Sequence, residues 1–282
     1  MRNPYAIDGP AVISTSGGRT SGFMLRQVMD AHGGVLPDDV IPVFCNTGQE
    51  HESTLKFLKD MQEHWGVRIV WLEYRYTPEA DKKNTYVEVD YCTASRDGQP
   101  FSELVKAKSM LPNPITRFCT SELKISTTNR WCKEQGWDEW ERVVGLRYDE
   151  PRRVHKLKGN IKSEDVSAPM HDAKHTREDV MQFWSQQDFD LELPGDDDAF
   201  GNCVGCFLKG KAKLEKVAQS NPRNLEWWAK QEERTDIQAN AAGQFFRNDR
   251  PTYRQMLTQL TVQGRMFDDA IEDDTMPCSC HD

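Results

Sequence analysis

The sequence predicts an α/β protein: a doubly wound, mostly parallel sheet followed by a helical lobe that carries cysteines. Three observations lead there. Short apolar runs alternate with amphipathic stretches through the first 150 residues, the rhythm of parallel strands joined by crossover helices. A turn with two glycines joins the first run to the first amphipathic stretch, at the end of the strand where such sheets hold ligands. After Arg153 the rhythm fades, and Cys203-Val204-Gly205-Cys206 falls among helical patterns.

Taken in order, Ala11-Val12-Ile13-Ser14 is a buried-strand pattern that runs into a Ser/Gly turn. Thr20 to Ala31 carries Phe23, Met24, Gln27 and Val28 at helical spacing, and Gly33-Gly34 stops it. Val40 to Cys45 reads as a second strand, Glu52 to Trp65 as a helix with Leu55, Leu58, Met61 and Trp65 on one stripe, and Val67 to Leu72 as a third strand. Tyr74 to Pro114 is polar, with scattered Pro and Gly, and reads as an insertion over the crevice, a surface excursion or a lid. Ser121 to Gln135 reads as a helix closed by Gly136, and Arg142 to Leu146 as a fourth strand. Beyond, Asp196-Asp197-Asp198 marks a loop, Leu208 to Ala218 and Pro222 to Glu233 read as helices, and Asp268 to Asp282 is an acidic tail. The expected domains are residues 1–160, the ligand-binding α/β unit, and residues 161–282, a helical lobe with the CxxC and the tail.

Composition narrows the function. The chain has 282 residues and a net charge of −9, which argues against a general nucleic-acid coat while leaving room for a local basic pocket. No apolar run approaches the roughly 18 residues of a membrane helix, and no basic-then-apolar leader opens the sequence. A soluble cytoplasmic protein without membrane partners is expected, and the 8 cysteines then point to metal or redox chemistry rather than a disulfide frame.

The first turn, Ser14-Thr15-Ser16-Gly17-Gly18-Arg19-Thr20-Ser21, has the makings of a phosphate site. Its glycines let the backbone curl with N–H groups pointing inward, the following helix contributes its positive end, and Ser16, Thr20 and Ser21 offer hydroxyls. Arg19 adds a fork suited to phosphate. The Gly-Lys-Ser/Thr of a Walker A loop is absent.

Ser16-Gly17-Gly18-Arg19-Thr20-Ser21 resembles the PP-loop, SGGxDS, of the adenine nucleotide α-hydrolase-like superfamily. Three further segments resemble its phosphoadenylyl-sulfate (PAPS) reductase branch. Asn46-Thr47-Gly48-Gln49-Glu50-His51-Glu52-Ser53-Thr54 is similar to TG-x-E-x-x-x-T, Arg117-Phe118-Cys119-Thr120-Ser121-Glu122-Leu123-Lys124 to Cys-Thr-x-x-x-Lys, and Val144-Gly145-Leu146-Arg147-Tyr148-Asp149-Glu150-Pro151-Arg152-Arg153 to G-x-R-x-D-E-S-x-x-R. The four cover about the first 155 residues in the expected order. The resemblance implies a PP-loop, Rossmann-like fold that binds ATP or an adenylylated sulfate, with Mg²⁺ as a companion of ATP. It implies nucleotide and phosphate contacts at Ser14, Ser16, Gly17, Gly18, Arg19, Thr20, Ser21, Thr47, Gly48, Glu50, Lys124, Gly145, Arg147 and Arg153. Thr20 departs from the Asp of many ATP-cleaving members, and Arg19 from their frequent Lys, for which a forked guanidinium is no equivalent.

The cysteines form a second group. Cys203 and Cys206 are spaced to meet one metal or cluster, with Lys209, Lys211 and Lys213 nearby to hold negative thiolates. Cys119 precedes a helix, and Cys278-Ser279-Cys280-His281 adds sulfur and imidazole in the tail. Cys119, Cys203, Cys206 and Cys278 are the expected ligands of a [4Fe–4S] cluster, or of Zn²⁺; PP-loop enzymes that insert sulfur into RNA are similar, holding a cluster with one separate cysteine and a CxxC. Cys280 is a candidate nucleophile, with Arg19 as a second catalytic candidate, although the Glu-Cys-Gly-x-His segment of sulfate reducers is absent. Cys45, Cys92 and Cys132 read as structural, and His51, His155, His171 and His175 lack ligand spacing.

These readings converge on an enzyme of adenine-nucleotide and sulfur chemistry. In one version ATP is split to activate an acceptor; in the other an adenylylated sulfate is attacked by a thiol. A sulfur donor or thiol reductant is the expected partner, with a homodimer left open. A tRNA or DNA acceptor, modified by an ATP pyrophosphatase, is one alternative. A nucleotide-binding module with structural zinc and no turnover is the other.

Overall fold

The computed structural model of the chain describes residues 3–160, 165–241, 243–263 and 276. Its strands are β1 (Ala11–Ser14), β2 (Val40–Asn46), β3 (Val70–Tyr76), β4 (Asn84–Val89), β5 (Glu141–Val143) and β6 (Asp165–Ser167). Its helices are α1 (Arg19–Ala31), α2 (Glu52–Trp65), α3 (Gln99–Lys108), α4 (Phe118–Thr120), α5 (Thr127–Glu134), α6 (Pro151–Asn160), α7 (Pro169–Asp172), α8 (Arg177–Trp184), α9 (Lys211–Ser220), α10 (Arg223–Glu232) and α11 (Tyr253–Gln263).

The strands make one sheet in the order β4-β3-β2-β1-β5-β6, with β4 antiparallel to β3 and the other pairs parallel. The chain steps outward from β1 through β2 and β3, then returns to lay β5 on the other side of β1. That reversal makes the carboxyl end of β1 a topological switch point, the place where open α/β sheets form a crevice.

Strand periodicity sends alternate residues to opposite faces. Ala11, Ile13, Val40, Phe44 and Trp71 join α1, α2 and α8 in one core through Phe23, Val28, Leu55, Leu58 and Trp184. Val12, Val43, Cys45, Val70 and Leu72 meet Trp131 and Cys132 of α5 on the other. Helices on both faces make the sheet doubly wound. α2 has the local signals for its bounds: the His51 ring nitrogen Nδ1 accepts the Ser53 N–H at 3.1 Å, and Gly66, at φ 62°, ends the helix in the left-handed region.

A third core lies beyond the sheet. α3 packs Phe101, Leu104 and Val105 against Leu214, Val217, Trp228, Phe246 and Tyr253 of the segment carrying α9, α10 and α11. α3 is therefore the bridge between sheet and helices.

The structure departs from the sequence reading in three places. Tyr74–Pro114 is no surface excursion: it finishes β3, supplies β4 as a hairpin partner and then forms α3. The helix expected over 121–135 contains a π-helical turn, Ser121–Ser126, between α4 and α5. The sheet's sixth strand follows residue 160, and the first core includes Met170, Val180, Trp184 and Leu191, so it draws on both sides of the expected domain boundary.

Candidate functional site

The Ser14–Ser21 turn leaves the carboxyl end of β1 and opens α1. Gly17 sits at φ +79°, and a Cβ there would lie 2.5 Å from Thr54 Cγ2, so both conformation and packing demand glycine. Hydroxyls brace the turn. Ser16 N–H donates to Ser21 Oγ at 3.1 Å, the Ser16 and Ser21 hydroxyls lie 3.0 Å apart, and Ser21 Oγ donates to the Gly18 carbonyl at 3.0 Å. Gly18, the N-cap, offers no side-chain acceptor, and the first turn of α1 holds no acidic residue. The positive end of that helix is therefore not answered by a local carboxylate, the electrostatic condition for holding an anion.

The arginines divide. Arg147 Nη1 donates to Thr20 Oγ1 at 3.1 Å, bringing the segment after β5 onto the turn, while its Nε meets Asp149 at 3.0 Å. Glu150 receives the Arg147 N–H at 3.2 Å and the Arg153 guanidinium at 2.5 Å, so Arg153 reaches the site's border. Gly145 is buried between β5 and these side chains. Arg19 faces elsewhere: its Nε and Nη2 hold Asp190 at 2.7 and 2.9 Å, Nη2 also reaches the Leu191 carbonyl, and Nη1 pairs with Asp196 at 2.6 Å. The fork expected to grip phosphate is filled by two carboxylates. Sequence reasoning missed Asp190 and Asp196 because they lie some 170 positions away with no local signal.

After β2, the chain curls around Glu50. Its carboxylate accepts the Thr47 N–H at 3.0 Å, the Thr47 hydroxyl at 2.8 Å and the Gln49 N–H at 3.1 Å. Gly48 holds φ +76°, and a Cβ there would strike the Gly98 backbone at 2.8 Å. Burial pushes the Glu50 pKa up, against the pull of Lys124 and Thr47. The same Lys124 charge acts on Cys45 and Cys203, whose thiols burial also pushes up. Lys124 thus stands among Glu50, Cys45 and Cys203 on the π-helical turn.

Between the turn and that helix lies a cavity of about 50 Å³, lined by Ser14, Ser16, Cys45, Thr120, Lys124, Thr128 and Arg142 among others. Cys45, read as structural, donates to the Lys124 carbonyl and lies 3.3 Å from Thr128 Oγ1. Arg142, Thr120 and Thr128 were not singled out from the sequence. The available signal was Arg142 itself, a charged residue inside a strand pattern.

The CxxC turn docks beside Glu50. Val204 N–H donates to the Gln49 carbonyl at 2.8 Å, and Cys203 Sγ lies 3.3 Å from Thr47 Oγ1. Cys206 N–H closes a turn on the Cys203 carbonyl at 3.0 Å. Of the nearby lysines, Lys209 is coupled electrostatically to both Cys203 and Cys206. Lys209 Nζ is buried and donates to the carbonyls of Ala199, Gly201, Cys203 and Val204 at 2.6 to 2.9 Å, while Lys211 pairs with Glu215 and Lys213 with Asp198. Cys119 borders the same core as Cys203 and Cys206, but among the described residues no three His, Cys, Asp or Glu side chains form a group that could hold a metal ion. Two neighbouring thiols are half of the set that a cluster or structural zinc takes. Cys278 and Cys280 lie outside the described residues. No described helix is long and apolar enough to cross a membrane.

No family model matches the chain. It is 32% identical over 207 residues to the uncharacterized nin region protein ORF290 of Escherichia phage lambda, across 72% of this chain and 67% of that protein. It is 26% identical over 163 residues to the uncharacterized protein MJ0066 of Methanocaldococcus jannaschii, across 55% of this chain and 28% of that longer protein. Among solved structures, the U34-tRNA thiolase NcsA from Methanococcus maripaludis with its [4Fe-4S] cluster matches 96% of this chain and 78% of its own at 13% identity and a TM-score of 0.40, a likeness too weak to carry an argument.

Proposed function

We propose that this chain, which belongs to the family of the nin region protein ORF290 of Escherichia phage lambda, is an adenine-nucleotide enzyme of the PP-loop kind. It binds ATP or an adenylylated sulfate with the anionic end on the Ser14–Ser21 turn. One observation carries this reading: a braced, glycine-bearing turn stands at the switch point of a doubly wound sheet, with Arg147 on Thr20 and a cavity holding Lys124 and Arg142 beside it. Glycine and helix N–H groups there stabilise charge that grows on a transferring phosphoryl or sulfuryl group. Arg147 holds Thr20 and the turn in register. Glu50 fixes the Thr47–Gln49 segment that borders the nucleotide. Arg19 acts at one remove, as the tie between the turn and the Asp190–Asp196 segment.

The chemistry is adenylylation or sulfur transfer. The described cysteines do not complete a cluster or zinc site, and no step here runs through one. In adenylylation the acceptor, a nucleic-acid base among the candidates, carries a carbonyl oxygen that takes the adenylyl group as pyrophosphate leaves, and a sulfur or nitrogen nucleophile then displaces AMP.

Calorimetry with ATP and with an adenylylated sulfate tests binding, and product analysis then separates the chemistries. Pyrophosphate and AMP from ATP mark the first; sulfite with consumption of thiol marks the second. A folded protein that binds neither nucleotide overturns the proposal. Gly17→Ala, which strains the turn, is expected to lower nucleotide affinity about tenfold or more.

A further inference from the structure

The rim of the crevice beyond β5 carries charge opposite in sign to the chain. The whole chain has a net charge of −9, yet residues 147–160 hold five Lys or Arg against two acids, Asp149 and Glu150. In α6, Val154 is buried and Leu157 half-buried, and both pack inward with Val144, Leu146 and Ala168. Helical spacing then turns Arg152 and His155 outward, and both are exposed. Glu150 takes the charge of Arg153, whereas Arg152 has no ion-pair partner among the described residues. Lys174, exposed at φ 62° on the loop between α7 and α8, has none among them either.

An aromatic ring stands among these cations. Tyr148 N–H donates to the His175 carbonyl at 2.8 Å, one residue from Lys174, while the preceding Arg147 reaches Thr20 on the turn. The Tyr148 backbone is thus held at the mouth of the site. Its ring is 48% exposed, with the His171 ring 5.5 Å away at 40°. Covering an aromatic face is favourable, so a positioned ring left half open offers a platform to another flat group. A lipid surface requires apolar side chains beside the cations, and here the apolar side of α6 faces inward.

We propose that this rim, Tyr148 with Arg152, His155 and Lys174, docks a single strand of nucleic acid. One base stacks on Tyr148, and the neighbouring phosphates lie against Arg152 and Lys174. The strand is unpaired because a base inside a duplex does not offer its face to a ring. The docking deepens the function proposed above, and rests on it for the chemistry: of the acceptors open there it selects a nucleic-acid base, brought beside the turn by the Arg147–Thr20 contact. The binding itself does not depend on that reading. Asp149, Glu150 and Asp172 border the rim, each close to a basic side chain of its own. They confine the contact to a few phosphates, a footprint compatible with the acidic chain.

Fluorescence anisotropy of labelled oligonucleotides of about 12 nucleotides, with the full-length protein and no ATP, reads the surface directly. Unstructured RNA and DNA strands are compared with a duplex and with vesicles of anionic phospholipid. Single strands are expected to bind, and to bind more weakly as salt rises. Tyr148→Ala is expected to weaken them about fivefold or more, and Tyr148→Phe to retain them. Arg152→Gln combined with Lys174→Gln is expected to lower the slope of log affinity against log salt by about one or more. ATP affinity, measured by calorimetry, is expected to stay within about twofold in every variant. A wild-type protein that binds no single strand at low salt overturns the surface and leaves the nucleotide reading standing. So does a duplex or a vesicle bound as tightly as the strand, or strand affinity that survives Tyr148→Ala. Loss of ATP affinity in Tyr148→Ala would assign the ring to the nucleotide's own adenine and overturn the surface as well. Strand binding that responds as expected, with no affinity for ATP or an adenylylated sulfate, supports the surface and sinks the nucleotide reading instead.

Discussion

Replacing Glu232 by Gln removes a titrating group from the core that unites α10 and α11, and the consequence for stability is set by its surroundings. Glu232 is 8% exposed, and its carboxylate oxygens accept the Phe246 N–H at 3.3 Å and the Tyr253 N–H at 2.9 Å. Burial is the chief cause that raises its pKa from 4.5 to about 7; the two N–H donors and Arg250 pull the other way. In the unfolded chain the group ionises near 4.5, whereas the folded protein keeps the proton until about 7. Across that window the unfolded form binds fewer protons, so stability falls as pH rises. The contribution is full below about 4.5 and gone above about 7, and at about 1.4 kcal/mol per pKa unit it amounts to about 3 kcal/mol. Gln offers one acceptor oxygen for two N–H donors, which costs about 1–3 kcal/mol at every pH. The readout is therefore the slope and not the offset. In urea titrations from pH 4 to pH 8, the wild-type free energy is expected to drop by about 3 kcal/mol relative to Glu232→Gln. Parallel curves would refute the claim that this carboxyl is protonated in the fold near neutral pH.

Other substitutions probe the remaining contacts. Lys209→Met leaves four carbonyls of the CxxC region without their shared donor; a loss of about 3 kcal/mol or more is expected, with faster alkylation of Cys203 and Cys206 as the local readout. Arg19→Met cuts the ties to Asp190 and Asp196 and is expected to cost about 1 kcal/mol after solvent screening with nucleotide affinity changed less than about twofold. A large loss of affinity at unchanged stability would show instead that the guanidinium serves the ligand. Brief alkylation of the native protein at pH 8, read by peptide mass spectrometry, is expected to label exposed Cys92 and spare buried Cys45 and Cys132, the last with its pKa pushed up to about 12 by burial. Equal labelling of all three would contradict the packing of α5 on the sheet.

What was legible in the sequence is what short-range chemistry determines. β1, β2 and α2 each have an apolar pattern and a terminator of their own, so their bounds were close to those of the structure. β4 escaped notice because an edge strand needs no buried face: Asn84–Val89 is half-buried or exposed along its length. β6 has three residues, too few for any periodicity. The π-helical turn inserts one extra residue per turn into a pattern read at 3.6, and it is this turn that carries Lys124. In each case the missing information lay in a neighbouring segment.

The same division runs through the site, and Arg19 and Arg142 show it from opposite sides. Arg19 stands inside the most recognisable stretch of the chain, and position alone made it a phosphate ligand. Its actual partners are two carboxylates that reach it only once the chain has folded back from α8, and a guanidinium already held by two carboxylates at 2.6–2.9 Å has little left to give a third anion. Arg142 belongs to no motif, yet strand alternation alone places it on the face opposite Val143, toward Val12 and Cys45 and at a cavity that adjoins the turn. A buried arginine has to be compensated by its surroundings. A charged residue at an inward strand position is therefore a stronger pointer to a built polar site than a charged residue in a loop, where water satisfies it at little cost.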